Sequence, residues 1–396
     1  MGEEDGGTAI MNVCMDLQAA LGQRGGVGRY VRELFHHLGP TAQPGETLTG
    51  FYFDFHRRHT SPMGLEAWAG ASALRACRWL PGRLAQGLWK HFHVPPYSWL
   101  AGDADLYHFP NFIRPPLARN RKSVVTIHDL SFLRMPETTE ERNLAWLTAE
   151  IQHTADTADA ILTDSRFSAA EIHECLGVES SRIFPVWLGL DSFPMPPPPE
   201  VAAATRRTLG LNRPYLLMVG TLEPRKNIPF LVKAFEAVNH PELELVLVGA
   251  PGWKTGPLLR AIEQSPCRAR IRRLGGISDA ELAAVYDGAA LFVYPTRYEG
   301  FGFPPLEAMA RGVPVLAARN SSLPEVLGDA PRWVDDFDAS QWAAQIHDLL
   351  RDPAQRDSLR RAGLQQAARY TWDETARRTW KVYRHIFAPN SSSAPE

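Results

Sequence analysis

The chain is short of cysteine, of long apolar runs and of net charge, and each shortage excludes something. Its 396 residues include four cysteines, Cys14, Cys77, Cys175 and Cys267. They lie far apart and match neither a zinc spacing nor a Cys-x-x-Cys pair, so they read as buried thiols in a reducing compartment. No apolar run reaches the ~18 residues that a membrane-spanning helix needs. The opening Met1-Gly-Glu-Glu-Asp-Gly-Gly-Thr8 is acidic and polar, unlike a secretory leader. Residues 1–10 read as a flexible tail, with Met11 an alternative start. Lys and Arg number 42 against 44 Asp and Glu, a net charge of −2, which argues against a nucleic-acid partner. There is no metal-ligand cluster, no internal repeat, and no low-complexity stretch beyond one proline run. These absences predict a cytoplasmic protein with no metal and no cofactor. The length alone points to two domains.

What is present is an alternation of strand and helix patterns. Strand patterns fall at 11–16, 48–53, 105–109, 123–127 and 160–163, and helical periodicity at about 27–38, 139–157 and 166–176. The run Pro194-Met-Pro-Pro-Pro-Pro199 lacks amide donors and favours an extended backbone, so 191–213 reads as a semi-rigid linker. A second alternating series follows, with strands at 215–220, 243–249, 271–274, 291–294 and 313–317. Near-continuous apolar runs such as Leu243–Gly249 are what fully buried parallel strands require. Helices fit 228–238, 338–351, 353–368 and 372–387. The expected fold is α/β: two Rossmann-like domains in tandem, 11–190 and 214–371, the last helix (about 372–388) belonging with the first domain.

Three segments carry chemistry. Gly25-Gly26-Val27-Gly28 opens the first helix, where unpaired amides and permissive glycines suit an anion. It is not a dinucleotide fingerprint, because Leu17–Arg24 separates it from its strand; a plain loop is the competing reading. Glu223-Pro-Arg-Lys-Asn227 follows strand 215–220 and sets Arg225 and Lys226 at a carboxyl strand end. Two cations there suit a departing diphosphate, and a solvated basic turn is the alternative. Tyr298-Glu-Gly-Phe-Gly-Phe-Pro-Pro-Leu-Glu307 offers a loop carboxylate, a row of amides freed by Gly300 and Gly302, and a second carboxylate one helical turn on. Carboxylates suit the hydroxyls of a ribose or hexose; a solvated glutamate and a capping one are the bland alternative.

The last segment resembles the Glu–x7–Glu motif of retaining glycosyltransferases, specifically glycosyltransferase family 4 with the GT-B fold. Gly25–Tyr30, Thr126-Ile-His-Asp-Leu-Ser131, Thr163-Asp-Ser-Arg-Phe-Ser168 and Glu223–Asn227 agree with it in order. The resemblance covers about 11–387 and is closest to mannosyltransferases of bacterial surface polysaccharide. It implies two domains facing a central cleft, donor bound by the second and acceptor by the first, with the last helix crossing back. It implies that Glu307 holds the ribose, and that Glu299 and the amides of Gly300, Phe301, Gly302 and Phe303 hold the donor sugar. Arg225 and Lys226 would neutralise the diphosphate in place of a metal, Gly26 and Gly28 would meet it from the first domain, and His128 would lie near the sugar. The implied reaction is metal-independent hexosyl transfer with retention. GDP-mannose comes first as donor and a UDP-sugar second, with a glycan or lipid-linked acceptor. A non-catalytic nucleotide-sugar binder, a nucleotide-sugar dehydrogenase or epimerase and a GT-B phosphorylase are the rival classes.

Residues 56–102 depart from the rest. They hold Trp68, Trp79, Trp89 and Trp99 together with Arg57, Arg58, Arg75, Arg78, Arg83 and Lys90. Aromatic and basic residues together suit an anionic membrane surface, predicting peripheral contact at the inner face of the cytoplasmic membrane. A packed insertion with buried tryptophans is the alternative.

Overall fold

A computed structural model describes residues 11–22, 25–56, 72–194 and 197–387. The tail 1–10, Arg57, Arg58 and Trp68 of the aromatic stretch, and Met195 and Pro196 of the linker lie outside them. The chain divides into two units. Among the described residues, the first comprises those within 11–129, 146–189 and 371–387, the second those within 130–145 and 190–370.

The first unit is built on a parallel sheet. Its strands are β1 (Met11–Asp16), β2 (Glu46–Phe53), β3 (Ala73–Cys77), β4 (Leu106–Phe109), β5 (Lys122–Thr126), β6 (Ala160–Thr163) and β7 (Ile183–Pro185). Their order is β3-β2-β1-β4-β5-β6-β7, so the direction of strand addition reverses between β1 and β4. The helix Gly26–Thr41 buries Tyr30, Val31, Leu34, Phe35 and Leu38, which recur at helical spacing. The helix Trp372–Phe387 packs on it. Trp380 Nε1 donates to the Leu38 carbonyl at 2.9 Å, and Arg384 grips Glu46 with both ends of its fork, at 2.6 and 3.0 Å. Gly189 lies so close to this helix that a Cβ there would sit 2.3 Å from the Trp372 backbone nitrogen.

The second unit repeats the plan. Its strands are β8 (Tyr215–Val219), β9 (Glu244–Val248), β10 (Ile271–Gly275), β11 (Leu291–Tyr294), β12 (Val315–Ala318) and β13 (Arg332–Val334), in the order β10-β9-β8-β11-β12-β13. Strands β8, β9, β11 and β12 are buried along their whole length. The reversal falls between β8 and β11, and in such sheets ligands bind beyond the carboxyl ends of the strands at the reversal.

Two expectations need correction. The stretch 191–213 is not simply a linker, because it contains the helix Pro199–Thr208. Proline fits a helix's first turn, and Glu-Val-Ala-Ala-Ala-Thr-Arg-Arg continues it. Arg206 fastens it to the helix Asp279–Asp287 through the Ala284 carbonyl at 3.1 Å. Residues 130–145, expected in the first domain, belong to the second unit. Trp253 Nε1 donates to the Thr138 carbonyl at 2.5 Å and Lys254 Nζ to that of Glu137 at 2.9 Å.

Candidate active site

In the second unit, Arg225 and Lys226 stand just beyond β8 in a short 3-10 turn, Pro224–Lys226. Glu299 stands just beyond β11. The reversal of strand order thus brings together the two most informative segments of the sequence. Lys226 Nζ donates to Glu299 Oε1 at 2.6 Å and to the Tyr294 hydroxyl at 2.9 Å. That hydroxyl donates in turn to Glu299 Oε1 at 2.9 Å, and Thr296 Oγ1 adds a third donor at 2.7 Å. Arg225 reaches Glu299 Oε2 at 3.0 Å, Glu223 Oε1 at 2.7 Å and the Tyr298 carbonyl at 2.7 Å.

Lys226, Glu223 and Glu299 are buried. Burial alone would raise the Glu299 carboxyl, but Arg225, Lys226 and the hydroxyl donors override it and hold the group at about 2. Burial pulls Lys226 below the usual lysine range, and Glu299 pulls it back up. The cations are therefore not a bare positive patch, as the sequence suggested. Two cations face two carboxylates, and the group as a whole is neutral. Lys226 has three donors, and its third has no partner among the described residues. An anion such as a diphosphate can accept a hydrogen bond from that N–H, or draw the cations off their carboxylates.

The loop after Glu299 is pinned from β12's side. Ser321 Oγ accepts from the Glu299 amide at 2.9 Å, and Ser322 Oγ donates to the carbonyls of Glu299 and Phe301 at 2.8 and 3.1 Å. Gly302 caps the helix Phe303–Ala310 with a φ of 111°, and a Cβ there would meet Leu323 Cδ2 at 2.6 Å. The backbone thus favours glycine, and any side chain here would also have to displace the Leu323 methyl. Glu307 is buried in the following turn and accepts from the Tyr286 hydroxyl at 2.9 Å. Tyr294, Thr296, Tyr286, Ser321 and Ser322 were not singled out in the sequence, and Glu223 was marked only as part of its segment, without a role. Only the Ser-Ser after β12 gives a local signal, since that strand's carboxyl end faces the same edge.

In the first unit, His128 is buried beyond β5. Its Nδ1 lies 2.9 Å from Asp164 Oδ2 and its Nε2 3.2 Å from the Pro110 carbonyl. The Pro110 carbonyl only accepts, so Nε2 carries a proton and Nδ1 faces the Asp164 carboxyl, which burial itself raises. Burial pulls this imidazole down, and the Asp164 carboxylate overrides it and lifts the group above the ordinary histidine range. Tyr30 stands edge-on to the ring, centroids 4.9 Å apart. Behind it, Tyr30 and His108 both bond Thr126 Oγ1, at 2.9 and 2.8 Å, and Tyr383 closes the chain on His108 at 2.7 Å. Asp164 lies in the Thr163–Ser168 segment, which the sequence marked without giving Asp164 a role. Its neighbour Ser165 caps the helix Arg166–Leu176, accepting from the Ser168 amide. Gly26 is exposed at the start of the helix Gly26–Thr41 and Gly28 is buried in its first turn.

Two tandem Rossmann-like units of this topology are the architecture of the GT-B class of glycosyltransferases. The family model for glycosyl transferases group 1 matches residues 204–366. The chain is 35% identical over 283 residues to O-antigen chain mannosyltransferase B of Escherichia coli, covering 70% of this chain and 74% of that one. The chain belongs to this glycosyltransferase family. It is also 26% identical over 351 residues to a D-inositol 3-phosphate glycosyltransferase of Segniliparus rotundus, 86% of this chain and 76% of that one. Among solved structures, sucrose-phosphate synthase from Thermosynechococcus elongatus matches with a TM-score of 0.72 at 21% identity, covering 96% of this chain and 99% of that one.

Proposed function

We propose that the protein moves a hexose from a nucleotide sugar to a glycan or lipid-linked acceptor, with retention, in the building of bacterial surface polysaccharide. Mannose from GDP-mannose is the first choice of donor. The observation that carries this reading is the Lys226–Glu299–Arg225 cluster at the β8/β11 reversal. The 35% identity to a protein named as an O-antigen mannosyltransferase supports the sugar and the setting.

In this reading Glu307 takes the ribose hydroxyls, and Glu299 with the amides of Gly300, Phe301, Gly302 and Phe303 takes those of the sugar. The bond from sugar C1 to the diphosphate oxygen breaks. Arg225 and Lys226 stabilise the charge that develops on that oxygen. The acceptor hydroxyl attacks from the same face, its oxygen bonds to C1, and its proton passes to the leaving phosphate. Glycoside and nucleoside diphosphate result, with no metal needed for the charge. The family resemblance assigns His128 to the sugar and Gly26 and Gly28 to the diphosphate.

The test is release of nucleoside diphosphate from GDP-mannose and from UDP-glucose, without and with a mannoside acceptor, followed by NMR of the product's anomeric proton. GDP release and an α-linked product are expected. UDP release instead would move the donor assignment, and release from no nucleotide sugar would leave a non-catalytic binder.

A further inference from the structure

The first unit contains a cavity of about 120 Å³ at the far edge of its sheet. Three elements enclose it. The chain leaving β7 lines it at Val186 and Trp187, the helix Arg166–Leu176 through Arg166, and the helix Trp372–Phe387 through Arg378 and Lys381. The volume is well below the roughly 300–1,000 Å³ of sites for drug-sized ligands. It suits a group of a few heavy atoms, and is too small for a nucleotide or a disaccharide.

The charge of the lining has one sign. Arg166, Arg378 and Lys381 are present and no Asp or Glu is. Arg378 and Lys381 are three residues apart on one helix, so they share a face, where like charges repel. Arg378 Nε donates to Glu374 Oε1 at 2.8 Å, but that carboxylate also serves Arg377 at 3.0 Å. The terminal nitrogens of Arg378 and the Nζ of Lys381 have no acceptor among the described residues. Trp187 is tied to the same helix, its carbonyl accepting from Thr375 Oγ1 at 2.8 Å. The guanidinium carbons of Arg166 and Arg378 stand 5.6 and 5.4 Å from its ring centroid. A ring face attracts a guanidinium without using its N–H groups. The indole therefore positions Arg378 and leaves its terminal donors available.

Donors of a guanidinium and an ammonium thus line a small cavity without acids. A tetrahedral oxyanion answers both the size and the charge, because phosphate accepts the guanidinium fork and the point charge of a lysine. We propose that this cavity binds a phosphate group, either free or in the headgroup of an anionic lipid. A bound phosphate would bridge the helix Trp372–Phe387 to the chain after β7. The inference does not rest on the transferase reading, which uses none of these residues.

Thermal melting of the full chain in inorganic phosphate, against chloride at equal ionic strength, tests the site. The wild type should melt higher by about 2 °C or more in about 20 mM phosphate. Lys381→Glu should lose that shift and Lys381→Arg should keep it. Lys381 is exposed, so both variants fold, which their melting in chloride checks. Phosphate also stabilises proteins by exclusion from their surfaces. That effect, and any phosphate held at Arg225 and Lys226, acts alike on all three chains, so the difference between them reports this cavity. Co-sedimentation with phosphatidylglycerol vesicles separates the two sources. Vesicle binding weakened by Lys381→Glu and competed by inorganic phosphate supports the lipid headgroup. Vesicle binding unchanged by Lys381→Glu, beside a lost phosphate shift, supports the free ion. A phosphate shift equal in the wild type and Lys381→Glu, or absent from the wild type, overturns the proposal.

Discussion

Lys226 and Glu299 are 73 residues apart in the chain and 2.6 Å apart in space. Neither is accessible enough to be charged alone at low cost, so each holds the other ionised. Removing one partner of a buried pair strands the other, at about 3–5 kcal/mol. Lys226→Ala and Glu299→Ala should each cut turnover by about a hundredfold or more, the scale of losing one transition-state donor. Both should also melt earlier than the wild type. Steady-state kinetics alongside calorimetry checks this, and near-wild-type turnover in either variant would remove that residue from the reaction.

Acid should expose the same pair. Glu299 is held at about 2, below its ordinary 4.5. A depressed carboxyl contributes stability that is complete above its unfolded value and lost as pH falls through the folded one. The window runs from about pH 4.5 down to 2, and the contribution is about 3 kcal/mol. Melting curves across that window should be flatter for Glu299→Gln than for the wild type.

His128 should behave in the opposite sense. Its folded value is raised, so its contribution is complete below the ordinary histidine value and lost as pH rises through the raised one. Asp164→Asn removes the carboxylate that overrides burial, so the His128 ring should titrate at lower pH. Two-dimensional NMR of the histidine ring protons reads this directly. An unmoved His128 titration would leave Asp164 without that role.

Gly302→Ala should damage the loop rather than the core. It forces a side chain into a left-handed position and against Leu323, at about 1–3 kcal/mol. The expected readout is a higher Michaelis constant for the donor, with the loss of melting temperature confined to a few degrees.

The aromatic stretch makes a further prediction. Trp79, Phe92 and Trp99 are 68, 67 and 73% exposed, and Arg83 and Lys90 share the helix Gly82–Phe92 with Phe92. These side chains are not the buried tryptophans of a packed insertion, whereas Trp89 is largely covered. Among the described residues no helix is long and apolar enough to cross a membrane. Co-sedimentation with vesicles rich in anionic lipid should fall with salt and with Trp79→Ser plus Phe92→Ser. Binding indifferent to both would argue against peripheral attachment.

The sequence showed the central strands well and, of the four edge strands, only β10. Strands β1, β8, β9 and β11 are paired on both sides and read as apolar runs. The strands it missed, β3, β7 and β13, all lie at sheet edges, and β3 alternates exposed and half-buried positions. An edge strand needs little apolar surface, so it leaves little pattern. The site divides in the same way. Arg225, Lys226, Glu299 and Glu307 stood out because their loops are chemically unusual. Tyr294, Thr296 and Asp164 did not, because an apolar strand's last tyrosine or a lone aspartate gains meaning only from what the fold sets beside it.

The helix Trp372–Phe387 has a consequence for synthesis. It seals the first unit through Trp380, Tyr383 and Arg384, yet it is translated after all of 190–370. At about 5–20 residues per second that delay is roughly 10–40 s. Throughout it, the surface of Gly26–Thr41 that later receives Trp380 has no partner, and at its end the second unit has its whole sequence. The unit that begins first is therefore completed last, and a nascent chain halted near 370 would carry one finished unit and one open one.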